Sequence, residues 1–217
     1  SDVCSSDLGD KTVKENLLHI LNEKYGIKEE DFLSAELSLV PAFKARDIGF
    51  DRALIGAYGH DDRVCSYPAF SALFDTETDG KTVMVVLADK EEIGSEGTTG
   101  MQCAIFTDLI DAIAYSFDTT SAVIRANSKC LSADVNAAYD PNFKDVNEPM
   151  NSTYVSCGAG LTKFTGARGK SGSNDASAEF MAEVRKMFND EGVIWQTGEL
   201  GKVDQGGGGT VAKYIAK

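Results

Sequence analysis

Apolar residues at Val13, Leu17, Leu18, Leu21 and Tyr25 share one helical face, and Gly26 stands where such a helix stops. Leu33, Ala35, Leu37 and Leu39 then alternate with polar neighbours up to Pro41, the period of a strand. Residues 43–58 hold no clear period and suit either irregular chain or a strand pair. A short helix follows, with Pro68 near its first turn and Phe70, Leu73 and Phe74 facing inward. The run 82–88, Thr-Val-Met-Val-Val-Leu-Ala, is too short for a helix, rich in β-branched residues and apolar throughout. It predicts a strand buried on both faces. Ile105, Phe106, Leu109, Ile110, Ile113 and Phe117 mark the strongest helix, and residues 130–133 read as a strand ending at Asp134.

Phe180, Met181, Val184, Met187 and Phe188 predict a further helix, capped by Ser173 or Asn174 and closed by Gly192. Residues 193–195 read as a strand, and Gly209 leads into a last helix over 210–217 that stops without a cap, so the chain reads as cut. Strand and helix alternate from about Ser66 onward, which predicts a layered α/β sandwich. No internal repeat is present, residues 206–209 are a run of glycines, and residues 1–8 fit no element and read as a leader.

Composition narrows the function. With 34 acidic against 21 basic residues the formal charge is −13, which argues against nucleic acid or an anionic membrane as partner and favours metal cations. Cys4, Cys65, Cys103, Cys130 and Cys157 are odd in number and form no Cys-x-x-Cys pair, so a reducing cytoplasm fits better than a disulfide framework. No apolar run reaches membrane-span length, and the first residues lack signal-peptide order.

Glu91 and Glu92 follow the 82–88 run, and ligands gather at the carboxyl ends of such strands. Adjacent glutamates repel, raising one pKa, unless a cation or donor holds both ionised. A solvated turn with two surface acids is the plainer reading. Asp134 likewise ends a strand, and Asp61-Asp62 precede a helix, where at most one need be a ligand and either could simply cap the helix. Residues 166–171 resemble a phosphate loop but carry Phe164 where that motif needs glycine. The glycines before Thr210 suit close backbone approach and amide donors to a carboxylate or oxyanion, or else a linker.

Several separated motifs occur in order: residues 89–101, Ser132-Ala133-Asp134, Lys163-Phe164-Thr165-Gly166, residues 169–175 and residues 198–210. Together they resemble the aspartyl aminopeptidase (aminopeptidase I) family of dinuclear zinc exopeptidases. The resemblance covers residues 10–217 and implies a partial chain. Its implied fold is a three-layer α/β/α sandwich with a mixed sheet, preceded by part of a β-rich dimerisation domain. Residues 9–54 would belong to that inserted domain and residues 55–217 to the catalytic one. The resemblance makes Glu91 the general base that activates water at two zinc ions. Asp62 would bridge the metals, and Glu92 and Asp134 would each ligate one. Gly207, Gly208, Gly209 and Thr210 would bind substrate, and Lys163, with Arg168 and Lys170 as local alternatives, would favour N-terminal Asp or Glu. The family's two histidine ligands have no counterpart: His19 sits in the first helical pattern and His60 beside the bridging position. The implied activity is removal of N-terminal residues from peptides, by dimer-based homo-oligomers that reach dodecamers. A non-catalytic assembly or metal-binding subunit is the alternative for a chain with an incomplete site.

Overall fold

A computed structural model of the chain describes residues 12–167, 171–202, 205 and 207–216. The expected leader at 1–8, together with Cys4, Arg168, Lys170 and Gly206, lies outside them. The chain divides into two compact units, Ser1–Tyr58 and Gly59–Lys217.

The first unit opens on α1 (Val13–Tyr25), with Thr12 and Glu15 forming a capping box: the Glu15 N–H donates to Thr12 Oγ1 at 3.3 Å and the Thr12 N–H to Glu15 Oε2 at 2.8 Å. The Gly26 N–H closes the helix on the Asn22 carbonyl at 2.8 Å. The alternating stretch after it is not a strand. A 3-10 turn takes Glu29–Leu33, and residues 35–40 join no ladder among the described residues. Alternation states which side chains could share a face, whereas a ladder also needs a neighbouring backbone. In the unperiodic stretch, β1 (Arg46–Ile48) and β2 (Leu54–Gly56) form an antiparallel hairpin in register Asp47↔Ile55.

The second unit begins with α2 (His60–Asp75), whose backbone leaves helical geometry at Asp61 (φ −83°, ψ 108°) and Asp62 (φ −118°, ψ 26°) before the helix proper. Pro68 therefore lies inside the helix and not in its first turn. Phe70 and Phe74 do not point inward either: they are exposed and stack edge to face at 5.2 Å. The expected central strand is the main correction. Among the described residues, 82–88 join no ladder, Val83 and Leu87 are 45% and 58% exposed, and Asp89 beyond them forms an isolated bridge to Gly100. Residues 130–133 likewise join no ladder among the described residues.

Helices α3 (Ile105–Ser116) and α4 (Ser121–Ala126) pack together, with Ile110 and Ala114 buried. Strands β3 (Ala159–Leu161), β4 (Phe164–Ala167) and β5 (Ser171–Asp175) precede α5 (Ala178–Asp190). The α5 cap is Ser177, whose Oγ accepts from the Phe180 N–H at 3.2 Å; Ser173 and Asn174 belong to β5 and are not available for it. Strand β6 (Trp195–Thr197) starts two residues later than its apolar run and pairs in parallel with β3, while β4 and β5 pair antiparallel. The last helix, α6 (Ala212–Ile215), is shorter than the pattern over 210–217 and packs against β5. The unit is thus α/β with both parallel and antiparallel pairs, but among the described residues these are separate two-stranded sheets and not one sheet between helix layers. Met101, Ile110, Ala114, Val184 and Ala212 are its buried apolar side chains among the described residues.

Candidate metal centre

The acids at the ends of the predicted elements converge within the second unit. Asp61, Asp62 and Asp134 each offer a carboxylate oxygen, and the three oxygens lie within 4.8 Å of one another. The break in α2 brings both aspartates of the Asp61-Asp62 pair into the cluster with Asp134, although the expectation is that at most one need be a ligand. Asp62 does not cap the helix. Its Oδ2 accepts from Ser66 Oγ at 3.2 Å, and its Oδ1 is buried without a hydrogen-bond partner. Asp134 takes the Val135 N–H on Oδ1 at 2.6 Å.

Glu91 and Glu92 sit on a 3-10 turn, Glu91–Ile93, held by a tightly folded loop. Lys90, Gly94 and Ser95 all take positive φ, the Ser95 N–H returns to the Lys90 carbonyl at 2.7 Å, and Ser95 is buried. Gln102 clamps the loop, its Nε2 donating to the Gly94 carbonyl at 2.7 Å and its N–H to the Ser95 carbonyl at 3.0 Å. Gly100 is required here, because a Cβ would stand 2.2 Å from the Ser95 carbonyl oxygen. Asp89 is tied in by Thr99 Oγ1 at 2.7 Å, and that hydrogen bond first, then the Lys90 N–H, holds its carboxyl below the ordinary value.

The electrostatics describe a site short of positive charge. Loss of hydration pushes the Asp134 carboxyl above its ordinary value, with Asp62, Asp61 and Glu92 adding to the rise and the Val135 N–H opposing it. Glu91 is raised first by loss of hydration and then by Asp134, Glu92 and Asp61, against the pull of Lys213. The Cys65 thiol, beside Asp62, is pushed up to about 12 by burial and then by Asp62, so it stays protonated. Glu92 acts on Asp134 through its charge but stands outside the three-carboxylate cluster.

The segment 207–216 closes on this region. Ser132 Oγ and Thr210 Oγ1 meet at 3.0 Å, Ala212 is buried, and the Tyr214 hydroxyl reaches within 3.5 Å of the Gly94 carbonyl. Gly207 has φ 120°, and a Cβ there would lie 2.6 Å from the Gly166 carbonyl oxygen and 2.8 Å from that of Leu200. Its close approach is therefore to the protein's own backbone. Lys163 is not a free cation: its ammonium pairs with Asp175, which the β4–β5 register places opposite Phe164. Sequence reading passed over Lys213, whose charge acts on Glu91. His60 is exposed, and His19 Nε2 lies 3.4 Å from Glu23 on α1; neither is in the cluster.

These residues fit a divalent cation. A buried carboxylate oxygen is costly to leave unsatisfied, and its neighbours Asp61 and Asp134, when ionised, are acceptors that cannot satisfy it. A cation among these carboxylates would relieve their mutual repulsion, and carboxylate oxygens are within the donor range of zinc.

Comparison with known proteins converges on one family. A family model described as aminopeptidase I zinc metalloprotease (M18) matches residues 3–217. A probable M18 family aminopeptidase 1 of Clostridium acetobutylicum is 51% identical over 209 residues, covering 94% of this chain and 45% of the relative. The crystal structure of an M18 aminopeptidase from Thermotoga maritima superposes with a TM-score of 0.87 at 47% identity, over 100% of this chain and 49% of that one. A dodecamer of the Saccharomyces cerevisiae protein mApe1 shares the fold at a TM-score of 0.61 and 22% identity, over 86% of this chain and 43% of that one. The chain thus spans about half the length of the relatives it matches. Among the described residues no helix is long and apolar enough to cross a membrane.

Proposed function

The chain belongs to the aminopeptidase I zinc metalloprotease family, and from that premise we propose that it removes N-terminal residues from peptides, with Glu91 as general base beside a zinc site held by Asp62, Asp134 and Glu92. The observation that carries this reading is the buried Asp62 Oδ1, which has no hydrogen-bond partner, on a carboxylate that clusters with two other acids. Asp61 is an additional candidate ligand, placed by the break in α2. Zinc, when bound in pairs at such sites, polarises a carbonyl and lowers the pKa of water. Glu91 then has the work of a general base: its carboxylate takes a proton from water and returns it to the departing amine. The raised Glu91 carboxyl moves toward the range where that exchange is efficient, and the Lys213 charge opposes the rise. Lys163, with Thr210 and the glycines at 207–209, makes up the proposed substrate-binding side, and a preference for N-terminal Asp or Glu is part of the proposal. So are assembly into dimer-based oligomers and residence in the cytoplasm.

The clustered donors among the described residues are all carboxylates, while a catalytic zinc ordinarily has three protein ligands of its own. Zinc affinity and turnover of the 217 residues alone are therefore expected to be low. Glu91→Gln tests the proposal: peptidase activity of the zinc-loaded chain should fall by about 100-fold or more with zinc content unchanged. An unchanged rate would refute the role of Glu91. Zinc bound at full stoichiometry with no Glu91-dependent hydrolysis would favour a non-catalytic metal-binding subunit.

A further inference from the structure

We infer that Ser66 is a positioning residue that fixes Asp62 Oδ2 and so reserves Oδ1 for a cation; the inference rests on the metal-binding reading above. Asp62 lies where the backbone departs from helical geometry, so the regular helix does not hold its carboxylate. Ser66, four residues on and one turn along α2, reaches Oδ2 at 3.2 Å. An ionised carboxylate only accepts, so the hydroxyl proton must point at Oδ2. A terminal carboxylate torsion is soft and two-fold, and the Cys65 thiol also hydrogen-bonds the Asp62 carboxylate. The Cys65 thiol beside Asp62 is a weaker donor than a hydroxyl and leaves Oδ1 unpartnered. Oδ1 is thereby left without a hydrogen-bond partner and already stripped of water, on a carboxylate that clusters with Asp61 and Asp134. Such outer partners of metal ligands set affinity by cutting the reorganisation needed on binding.

The test is titration of the purified chain with zinc by calorimetry, and with Co²⁺ by visible absorption, for wild type, Ser66→Ala, Ser66→Thr and Asp62→Asn. Ser66→Ala is expected to weaken zinc binding by about 10-fold and to shift the Co²⁺ spectrum, while Ser66→Thr, which keeps the hydroxyl, restores both. Asp62→Asn should bind neither metal at the site. Wild-type affinity in Ser66→Ala, or equal losses in Ser66→Ala and Ser66→Thr, would overturn the role of Ser66 while leaving the metal site in place. A wild-type titration indistinguishable from Asp62→Asn would overturn the metal reading itself, and this inference with it. Unchanged far-ultraviolet circular dichroism of the variants separates these outcomes from misfolding.

Discussion

Replacing Asp134 by Asn should stabilise the metal-free protein and at the same time remove its response to zinc. The carboxylates of Asp61, Asp62 and Asp134 approach within 4.8 Å of one another. Two like unit charges at that separation repel by about 0.9 kcal/mol with the dielectric of water and about 3.5 kcal/mol at an effective value of 20. Asp134 is exposed, so solvent and salt hold the interaction near the lower figure. Relief from two neighbours is then about 1 to 2 kcal/mol. The Val135 N–H loses a charged acceptor but keeps an amide oxygen, which returns about 0.5 kcal/mol. The net gain of about 1 kcal/mol corresponds to a melting point about 2 to 4 °C higher. Zinc at 100 times its dissociation constant would stabilise wild type by about 2.7 kcal/mol, and the variant lacks a ligand for it. The assay is thermal unfolding followed by circular dichroism, in EDTA and in excess zinc: the variant should melt higher in EDTA and the wild type higher in zinc. The dependence on pH has a fixed sign. The folded Asp134 pKa lies above its ordinary 3.8, so its contribution to stability is fully present below that value and is lost as pH rises through the raised one. The advantage of Asn in EDTA should therefore shrink as pH falls toward 3.8. A variant that melts below wild type in EDTA at pH 7, or that gains as much from zinc as wild type does, would refute the reasoning.

Gly100→Ala places a Cβ 2.2 Å from the Ser95 carbonyl oxygen and 2.7 Å from that of Glu96, and should cost about 1 to 3 kcal/mol. Urea unfolding checks it, and an unchanged midpoint would mean that the Glu91-Glu92 loop is not held as described. Lys163→Met should reduce hydrolysis of peptides with N-terminal Asp or Glu by about 10-fold, at the low end for a charged contact because Asp175 already shares the ammonium. Initial rates on matched acidic and neutral peptides test it, and equal losses on both would refute acid recognition by Lys163.

What the sequence made legible was local. Helix α1 with its closing Gly26, and the core of α3 and α5, follow from apolar spacing alone, because a helix satisfies its own backbone. The run 82–88 has the composition of a buried strand, yet burial and pairing come from other segments, and the described residues supply neither. Cap choice failed for the same reason at α5: Ser173 and Ser177 are equivalent as residues, and only the β4–β5 ladder removes the first. The ion pair of Lys163 was not legible because its partner Asp175 is twelve residues away, on the paired strand.

The site shows how the local and the global are joined. Adjacent residues in a regular helix or strand diverge, so Asp61 and Asp62 look like one ligand and one bystander. The backbone departs from regularity at both of them, and the two carboxylates gather with Asp134, where loss of hydration first and the neighbouring charges after it raise Asp134 and Glu91. Nothing in residue type forecasts that departure; it is stable only if something offsets the crowding. Ser66 offsets part of it at Oδ2, and Lys213 part of it at Glu91, but neither reaches the buried Oδ1. Binding of a cation would complete the balance and release protons from the raised carboxyls, so that cation affinity rises with pH over the range where those groups titrate. Folding of this region and occupation of its cation site are thus expected to be one linked equilibrium.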